Sequence, residues 1–304
     1  MLSVRKRGQL TGHNAAIFAL GSDATEQSFL SGAGDGWVVR WDLDSPETGR
    51  LIAKVETQIF SLFYLPESER VVVGNMNGGI HWVDLNDPEQ TRNIAHHQKG
   101  IYDLIRVGDH LYSAGGGGML TRWSVPETRS LESLQLTNQS LRALDYSPQR
   151  HELVVGASDN TIYLLDADTL TIKHQQQQAH DNSVFTVRYH PDGQHLLSGG
   201  RDAHLRIWTI DDQGLHPVAA HPAHWFTINS IAIDPRGRWF ATGSRDKTIK
   251  IWDAKTFELR KVLETARDGC HVNSVNRLYW SPYRDELISC SDDRSMIIWE
   301  VKEE

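Results

Sequence analysis

Four stretches of this chain repeat one pattern at fixed internal spacing, and no other feature restricts its fold as strongly. They are SGAGDGWVVRWD (31–42), SGGRDAHLRIWT (198–209), TGSRDKTIKIWD (242–253) and SCSDDRSMIIWE (289–300). Each carries a small hydroxyl residue, an Asp four positions on and a Trp six further: Ser31, Asp35 and Trp41; Ser198, Asp202 and Trp208; Thr242, Asp246 and Trp252; Ser289, Asp293 and Trp299. A His stands 28 residues before each Trp, at His13, His180, His224 and His271. Three weaker copies fill the gap: VGNMNGGIHWVD (73–84), SAGGGGMLTRWS (113–124) and VGASDNTIYLLD (155–166). The marker positions are then 41, 83, 123, 165, 208, 252 and 299, spaced 40 to 47 residues apart.

Segments such as HLRIW, TIKIW and SMIIW are short, β-branched and partly alternating, so they predict strands. Turn signals separate them at His190-Pro191-Asp192-Gly193, Asp234-Pro235-Arg236-Gly237, Ser147-Pro148 and Ser281-Pro282. Nothing sustains a 3.6-residue period, which predicts almost no helix. Gln175 to Gln178 reads as a polar connection. A repeat of this length, punctuated this way, is the size of a propeller blade of four short strands.

Gly12-His13, Trp41-Asp42 and Trp252-Asp253 resemble the GH…WD signature of the WD-repeat (β-transducin-like) family, and the resemblance covers essentially the whole chain. It implies an all-β, seven-bladed β-propeller of four-stranded antiparallel blades, a single domain over residues 1–304. It also implies that the N-terminal strand, roughly Ser3 to Leu10, completes the last blade. A closed ring pairs or shelters edge strands that an open one would leave bare.

The recurring Ser, His and Asp invite a hydrolase reading, which needs a nucleophile, a base and an orienting carboxylate in contact. One active site needs one set, however, and here the set returns with each Trp. In the family the four residues form a hydrogen-bonded tetrad inside a blade, and that structural role is expected here. The pattern is incomplete in three repeats. The third has His97, Ser113 and Trp123 but Gly117 at the Asp position. The fourth has Asp159 alone, and the second has Asn77 in its place. Repeats two to four therefore form a less constrained arc. Gly115 to Gly118 reads as a loose turn, because no Lys-Ser/Thr follows it and Met119-Leu120 begins a strand. The histidines show no clustered ligand spacing, so no metal is assigned; no cofactor is implied either. Cys270 and Cys290 form no disulfide framework or zinc pattern, and they fit two thiols in a reducing, cytoplasmic compartment.

In the family, partner contacts concentrate on the top face, three and five residues after the tetrad His and just before the tetrad Asp. Carried over, the five-after positions are Phe18, Phe60, Tyr102, Arg142, Phe185, Asn229 and Asn276. The positions before the Asp include Arg201, Arg245, Asp292 and Met76, and Trp37 and Trp225 lie nearby in turns. Four aromatics and an Arg among seven positions make a surface rich in the residues that anchor interfaces. It suits a protein or peptide carrying an apolar anchor and an acidic residue.

The net charge of -8 opposes a general affinity for nucleic acid or anionic membrane. The N-terminal MLSVRKRGQL is followed by no apolar stretch, and no run approaches the length of a membrane span. The leading expectation is a monomeric, non-catalytic scaffold or adaptor, possibly within a multiprotein complex. Its rivals are a nucleic-acid- or chromatin-associated WD-repeat subunit, supported by the basic sector at Arg201 and Arg245, and a propeller enzyme with a central-channel site.

Overall fold

A computed structural model describes residues 2–303. After β1 (Leu2–Thr11), the strands group in fours along the chain. The first sheet holds β2 to β5 (Ile17–Ser22, Ser28–Ala33, Trp37–Asp42, Arg50–Lys54), and the second β6 to β9 (Ile59–Leu65, Arg70–Asn75, Gly79–Asp84, Arg92–Ala95). The third holds β10 to β13 (Ile101–Val107, His110–Gly115, Met119–Ser124, Arg129–Gln135), and the fourth β14 to β17 (Leu141–Ser147, Glu152–Ala157, Ile162–Asp166, Ile172–Gln176). The fifth holds β18 to β21 (Val184–Tyr189, His195–Gly200, His204–Asp211, Gly214–Pro222), and the sixth β22 to β25 (Ile228–Ile233, Trp239–Ser244, Ile249–Asp253, Leu259–Leu263). The seventh runs in the order β1, β28 (Ser295–Glu303), β27 (Glu286–Ser291), β26 (Val275–Trp280).

All seven marker positions fall in the third strand of their repeat. Five residues before each marker the backbone turns left-handed, with φ between 63° and 85°: Gly36, Gly78, Gly118, Asn160, Ala203, Lys247 and Arg294. In six of the seven this residue's N–H bonds to the carbonyl three residues back, closing a tight turn between second and third strands. Glycine is required where another backbone passes close. A Cβ on Gly36 would lie 2.3 Å from the Val55 carbonyl oxygen, and one on Gly118 only 1.8 Å from that of Thr137. The later repeats keep an ordinary side chain there and accept a left-handed conformation that costs roughly 1–2 kcal/mol.

Helix is confined to one turn, α1 (Thr265–Asp268), and two 3-10 turns. α1 accounts for the longest marker spacing, between Trp252 and Trp299. Gln175 and Gln176, expected in a connection, belong instead to β17, an outer strand with alternating exposure that tolerates polar residues on both faces.

The chain resolves into two compact units, residues 1–73, 81–91 and 229–304, and residues 74–80 and 92–228. In the first, apolar side chains form three clusters. Trp239, Ile251, Leu278 and Trp299 centre one; Phe29, Trp41, Ile288 and Ile298 a second; Leu30, Ile59, Leu62 and Val73 a third. β1 pairs antiparallel with β28 from Leu2↔Glu303 to Thr11↔Ser295, so the chain's first strand completes the seventh sheet. Leu10 is buried, Leu2 and Val4 pack on the Trp299 cluster, and Arg7 pairs with Glu286. In the second unit Tyr112, Leu141, Leu153 and Tyr163 centre one cluster, and Val154, Leu164, Val187 and Trp208 another.

Candidate functional site

The first, fifth and seventh repeats each contain a complete four-residue hydrogen-bond chain. His13 Nδ1 lies 3.0 Å from Asp35, His13 Nε2 2.7 Å from Ser31 Oγ, and the Trp41 indole donates to Ser31 Oγ at 2.8 Å. The corresponding distances are 2.9, 2.8 and 2.8 Å for Asp202, His180, Ser198 and Trp208. They are 2.9, 2.8 and 2.9 Å for Asp293, His271, Ser289 and Trp299. In the sixth repeat Trp252 donates to Thr242 at 3.0 Å, Asp246 accepts from Thr248, and His224 is buried.

The polarity of these chains follows from the carboxylate. An ionised Asp can only accept, so the imidazole hydrogen is held on Nδ1, where it donates to the Asp. Nε2 of the neutral ring then accepts the serine hydroxyl's hydrogen, while the serine oxygen accepts the indole N–H. The same Asp accepts the backbone N–H of the residue after the His, at Asn14, Asp181 and Val272. Burial lowers the pKa of His13 and His180 against the opposing pull of their Asp partners. Burial would raise the Asp202 carboxyl, but hydrogen bonding and the attraction of His180 outweigh it and hold the group at about 2. Ser31, Ser198 and Ser289 are wholly buried under the indole. A hydroxyl so placed braces a sheet and is sealed from any substrate.

The third repeat keeps the inner part of this chain. His97 Nε2 is 2.7 Å from Ser113 Oγ, and Trp123 donates to Ser113 at 2.9 Å. With Gly117 in the Asp position, His97 Nδ1 is buried with no hydrogen-bond partner among the described residues. Burial and the adjacent His96 push its pKa down to about 4. In the fourth repeat Asp159 accepts from the Tyr163 hydroxyl at 2.6 Å instead.

The seven five-after positions share one local geometry. Each is the second residue of the first strand of its repeat, and each is half-buried. At Phe18, Tyr102, Arg142, Phe185 and Asn276 the strand register skips the residue, which therefore sits in a β-bulge. A bulge frees one residue from the ladder and re-aims its side chain.

In the second unit the bulge residues converge. The Arg142 guanidinium lies 4.4 Å from the centre of the Tyr102 ring and 4.9 Å from that of Phe185. Its Nε donates to Ser158 Oγ at 2.9 Å. Burial lowers its pKa, Tyr102 pulls the other way, and the like charge of Arg201 adds to the lowering. Arginine stays protonated all the same. Among the described residues no carboxylate pairs with Arg142, nor with the exposed Arg201. Contact with two rings stabilises the cation by roughly 1–3 kcal/mol. Trp225, in the turn after His224, is 85% exposed.

In the first unit Phe18 and Phe60 meet edge-to-face at 5.3 Å. Asn229 donates to the Val275 carbonyl at 2.8 Å; Asn276 donates to the Ile17 carbonyl at 2.9 Å and to Asp292 at 2.7 Å. Both amides thus tie strands of their own chain together. Arg245 is exposed, Met76 is 43% exposed and Trp37 is half-buried.

One convergence escaped sequence reasoning. His190, Asp192 and His195 bring three potential ligand atoms within 4.8 Å of one another. Asp192 there accepts the backbone N–H groups of Gln194 and His195, and its other oxygen meets both imidazoles. The His-Pro-Asp-Gly turn was visible in the sequence; that His195 folds back over it was not.

Comparison with known proteins agrees with this geometry. The WD domain, G-beta repeat family matches residues 5–42, 172–209, 215–253 and 260–300, together about half of the chain. Transducin beta-like protein 3 of Rattus norvegicus is 25% identical over 95% of this chain and 40% of its own length. THO complex subunit 6 homolog of Danio rerio is 26% identical over 49% of this chain and 52% of its own length. The chain thus spans about half, or less, of these relatives. The WD40 β-propeller domain of Doa1 superimposes on 100% of the chain, and 98% of that domain, with a TM-score of 0.85 at 19% identity. The fold is a seven-bladed β-propeller of four-stranded antiparallel sheets, and the chain belongs to the WD40 repeat family.

Proposed function

We propose that this chain is a protein-interaction module, not a catalyst, that holds a partner's peptide or loop against Tyr102, Arg142 and Phe185. The observation that carries the reading is the Arg142 guanidinium stacked between two rings without a carboxylate partner among the described residues. The two rings and the bond to Ser158 hold the side chain in place, so little rotamer entropy remains to be lost when a carboxylate docks on the guanidinium. Arg201 adds a second positive charge, and exposed Trp225 offers apolar area to the same partner. The expected ligand segment pairs an apolar anchor with an acidic residue.

WD-repeat propellers generally act as protein-interaction scaffolds, and the Danio rerio relative is by its name a subunit of a complex. The hydrolase-like Ser, His and Asp residues recur in several repeats and are buried in structural chains. We place the module in the cytoplasm as a monomer; its two cysteines are free, buried thiols, the state a reducing compartment maintains. No helix among the described residues is long and apolar enough to cross a membrane.

The test is to pan a random peptide library on the full chain and on Arg142→Met. Wild type should enrich peptides with Asp or Glu near an aromatic or large aliphatic residue, and Arg142→Met should lose the acidic preference. Enrichment without an acidic residue, or an acidic preference that survives Arg142→Met, would overturn the reading.

A further inference from the structure

The third repeat lacks one side chain that its counterparts use, and the surroundings of that side chain remain built. In the first, fifth and seventh repeats an Asp carboxylate accepts two hydrogen bonds at this place, from His Nδ1 and from the backbone N–H of the residue after the His. In the third repeat His97 is only 6% exposed, and its ring is pinned through Nε2 to Ser113. The indole of Trp123 donates to the Ser113 oxygen, and a carboxylate at Nδ1 would select the tautomer that carries the hydrogen there, as the Asp does in the other repeats. His97 Nδ1 meets no hydrogen-bond partner among the described residues. The N–H of Gln98, the counterpart of Asn14, Asp181 and Val272, donates to none of the described residues either.

Between these groups lies a cavity of about 220 Å³, lined by His96, His97, Gln98, Gly117, Met119 and Asn138, among others. A Cβ built on Gly117 meets nothing within 4 Å, so the path an Asp side chain would take is open. A buried imidazole nitrogen held without a partner costs free energy, and beside the backbone N–H of exposed Gln98 it favours an anion that fits. Repeats one, five and seven show which anion the geometry fits.

We infer that the cavity at His97 and Gly117 is a binding site for a single carboxylate on a slender stem, which takes the position of the missing tetrad Asp. The group comes from a small carboxylic acid or from the Asp or Glu side chain of a partner chain. Gly116, next to Gly117, abuts the Tyr102 ring: a Cβ there would stand 3.0 Å from Tyr102 Cε2. The site therefore adjoins the Arg142 stack, but it rests on His97 and Gly117 alone and stands whether or not Arg142 binds a partner.

The experiment follows the imidazole ¹⁵N and Nδ1–H resonances of His97 in the full chain while acetate replaces chloride at constant ionic strength. A parallel arm uses a blocked Gly-Asp-Gly tripeptide, with blocked Gly-Asn-Gly as its neutral control. Acetate should shift the His97 signals saturably, with a dissociation constant on the order of 10 mM, as expected for one or two charge-assisted hydrogen bonds. Tighter binding of the aspartyl peptide assigns the site to a protein side chain, and binding of acetate alone assigns it to a small acid. The control peptide should not compete. Gly117→Asp should show the shifted His97 signals without any ligand and should no longer respond to acetate. No saturable change with either carboxylate would overturn the inference. So would an acetate response that persists in Gly117→Asp, because the bound anion would then lie elsewhere.

Discussion

Replacing Gly117 by Asp is expected to stabilise this protein. The substitution supplies His97 Nδ1 with the acceptor that Asp35, Asp202 and Asp293 give their histidines. A buried donor left unpaired costs roughly 1–3 kcal/mol, and a hydrogen bond to a charged acceptor contributes a similar amount. Desolvating the new carboxylate offsets part of this, and removing a glycine from the unfolded chain adds about 0.4–1 kcal/mol. A net gain of about 2 kcal/mol is expected at neutral pH. The chain's unfolding entropy, about 0.6 kcal/mol/K at the usual value per residue, converts this to a rise of about 3 °C in Tm. The gain should grow in acid. His97 titrates near 4 in the folded protein and near its ordinary value when unfolded, so its neutral form favours folding above about pH 6.5. That contribution, about 3 kcal/mol, is lost as pH falls from 6.5 towards 4. The introduced carboxylate would raise the folded pKa of His97 and shrink the loss. Thermal melts of wild type, Gly117→Asp and Gly117→Ala from pH 4.5 to 7.5 test the reasoning. An aspartate variant no more stable than Gly117→Ala, or an advantage that shrinks in acid, would refute it.

Other consequences are sharper in direction than in size. Gly118→Ala should destabilise by about 2–4 kcal/mol, because its Cβ would strike the Thr137 carbonyl at a left-handed residue; Lys247→Gly, at the equivalent turn, should cost under about 1 kcal/mol. Urea unfolding of the two variants should separate them clearly. Asp202→Ala should lose about 1.5–3 kcal/mol by leaving His180 Nδ1 buried and unpaired, read as a lower melting temperature, and the loss should be fully present at pH 7. Deleting residues 1–10 removes β1, exposes the edge of β28 and forfeits burial of Leu10 with part of Val4 and Leu2, about 3–6 kcal/mol in all; wild-type-like melting of that truncation would contradict the strand pairing.

What was legible in the chain and what was not divides along a physical line. The tetrad residues are separated by fixed steps because each blade repeats one backbone path, so Ser31, Asp35 and Trp41 could be aligned with Ser289, Asp293 and Trp299 before any coordinates. The pairing of β1 with β28 was legible through the family resemblance, which implied that the N-terminal strand completes the last blade. The bulge positions were legible only through the family's habits, since nothing in Phe18, Arg142 or Phe185 marks a register shift. The left-handed turn could be suspected at Gly36, Gly78 and Gly118 but not at Ala203 or Lys247, where packing imposes the conformation against preference. The stack of Tyr102, Arg142 and Phe185 joins residues about one repeat apart and depends on how strands from three sheets align. Gly117 illustrates the remaining gap. As a departure from the pattern it marked a softer blade. Its consequence, a pinned imidazole whose buried Nδ1 has no partner among the described residues, emerges only from the hydrogen bonds of His97, Ser113 and Trp123.

The central claim is that the Arg142 stack holds a protein partner. Its most direct test compares proteins recovered with wild type and with Tyr102→Ala, Arg142→Ala, Phe185→Ala combined, by affinity purification and quantitative mass spectrometry, after circular dichroism has shown the variant folded. The account predicts that at least one stoichiometric partner of wild type is lost from the triple variant. Unchanged recovery of every partner by a folded triple variant would contradict it.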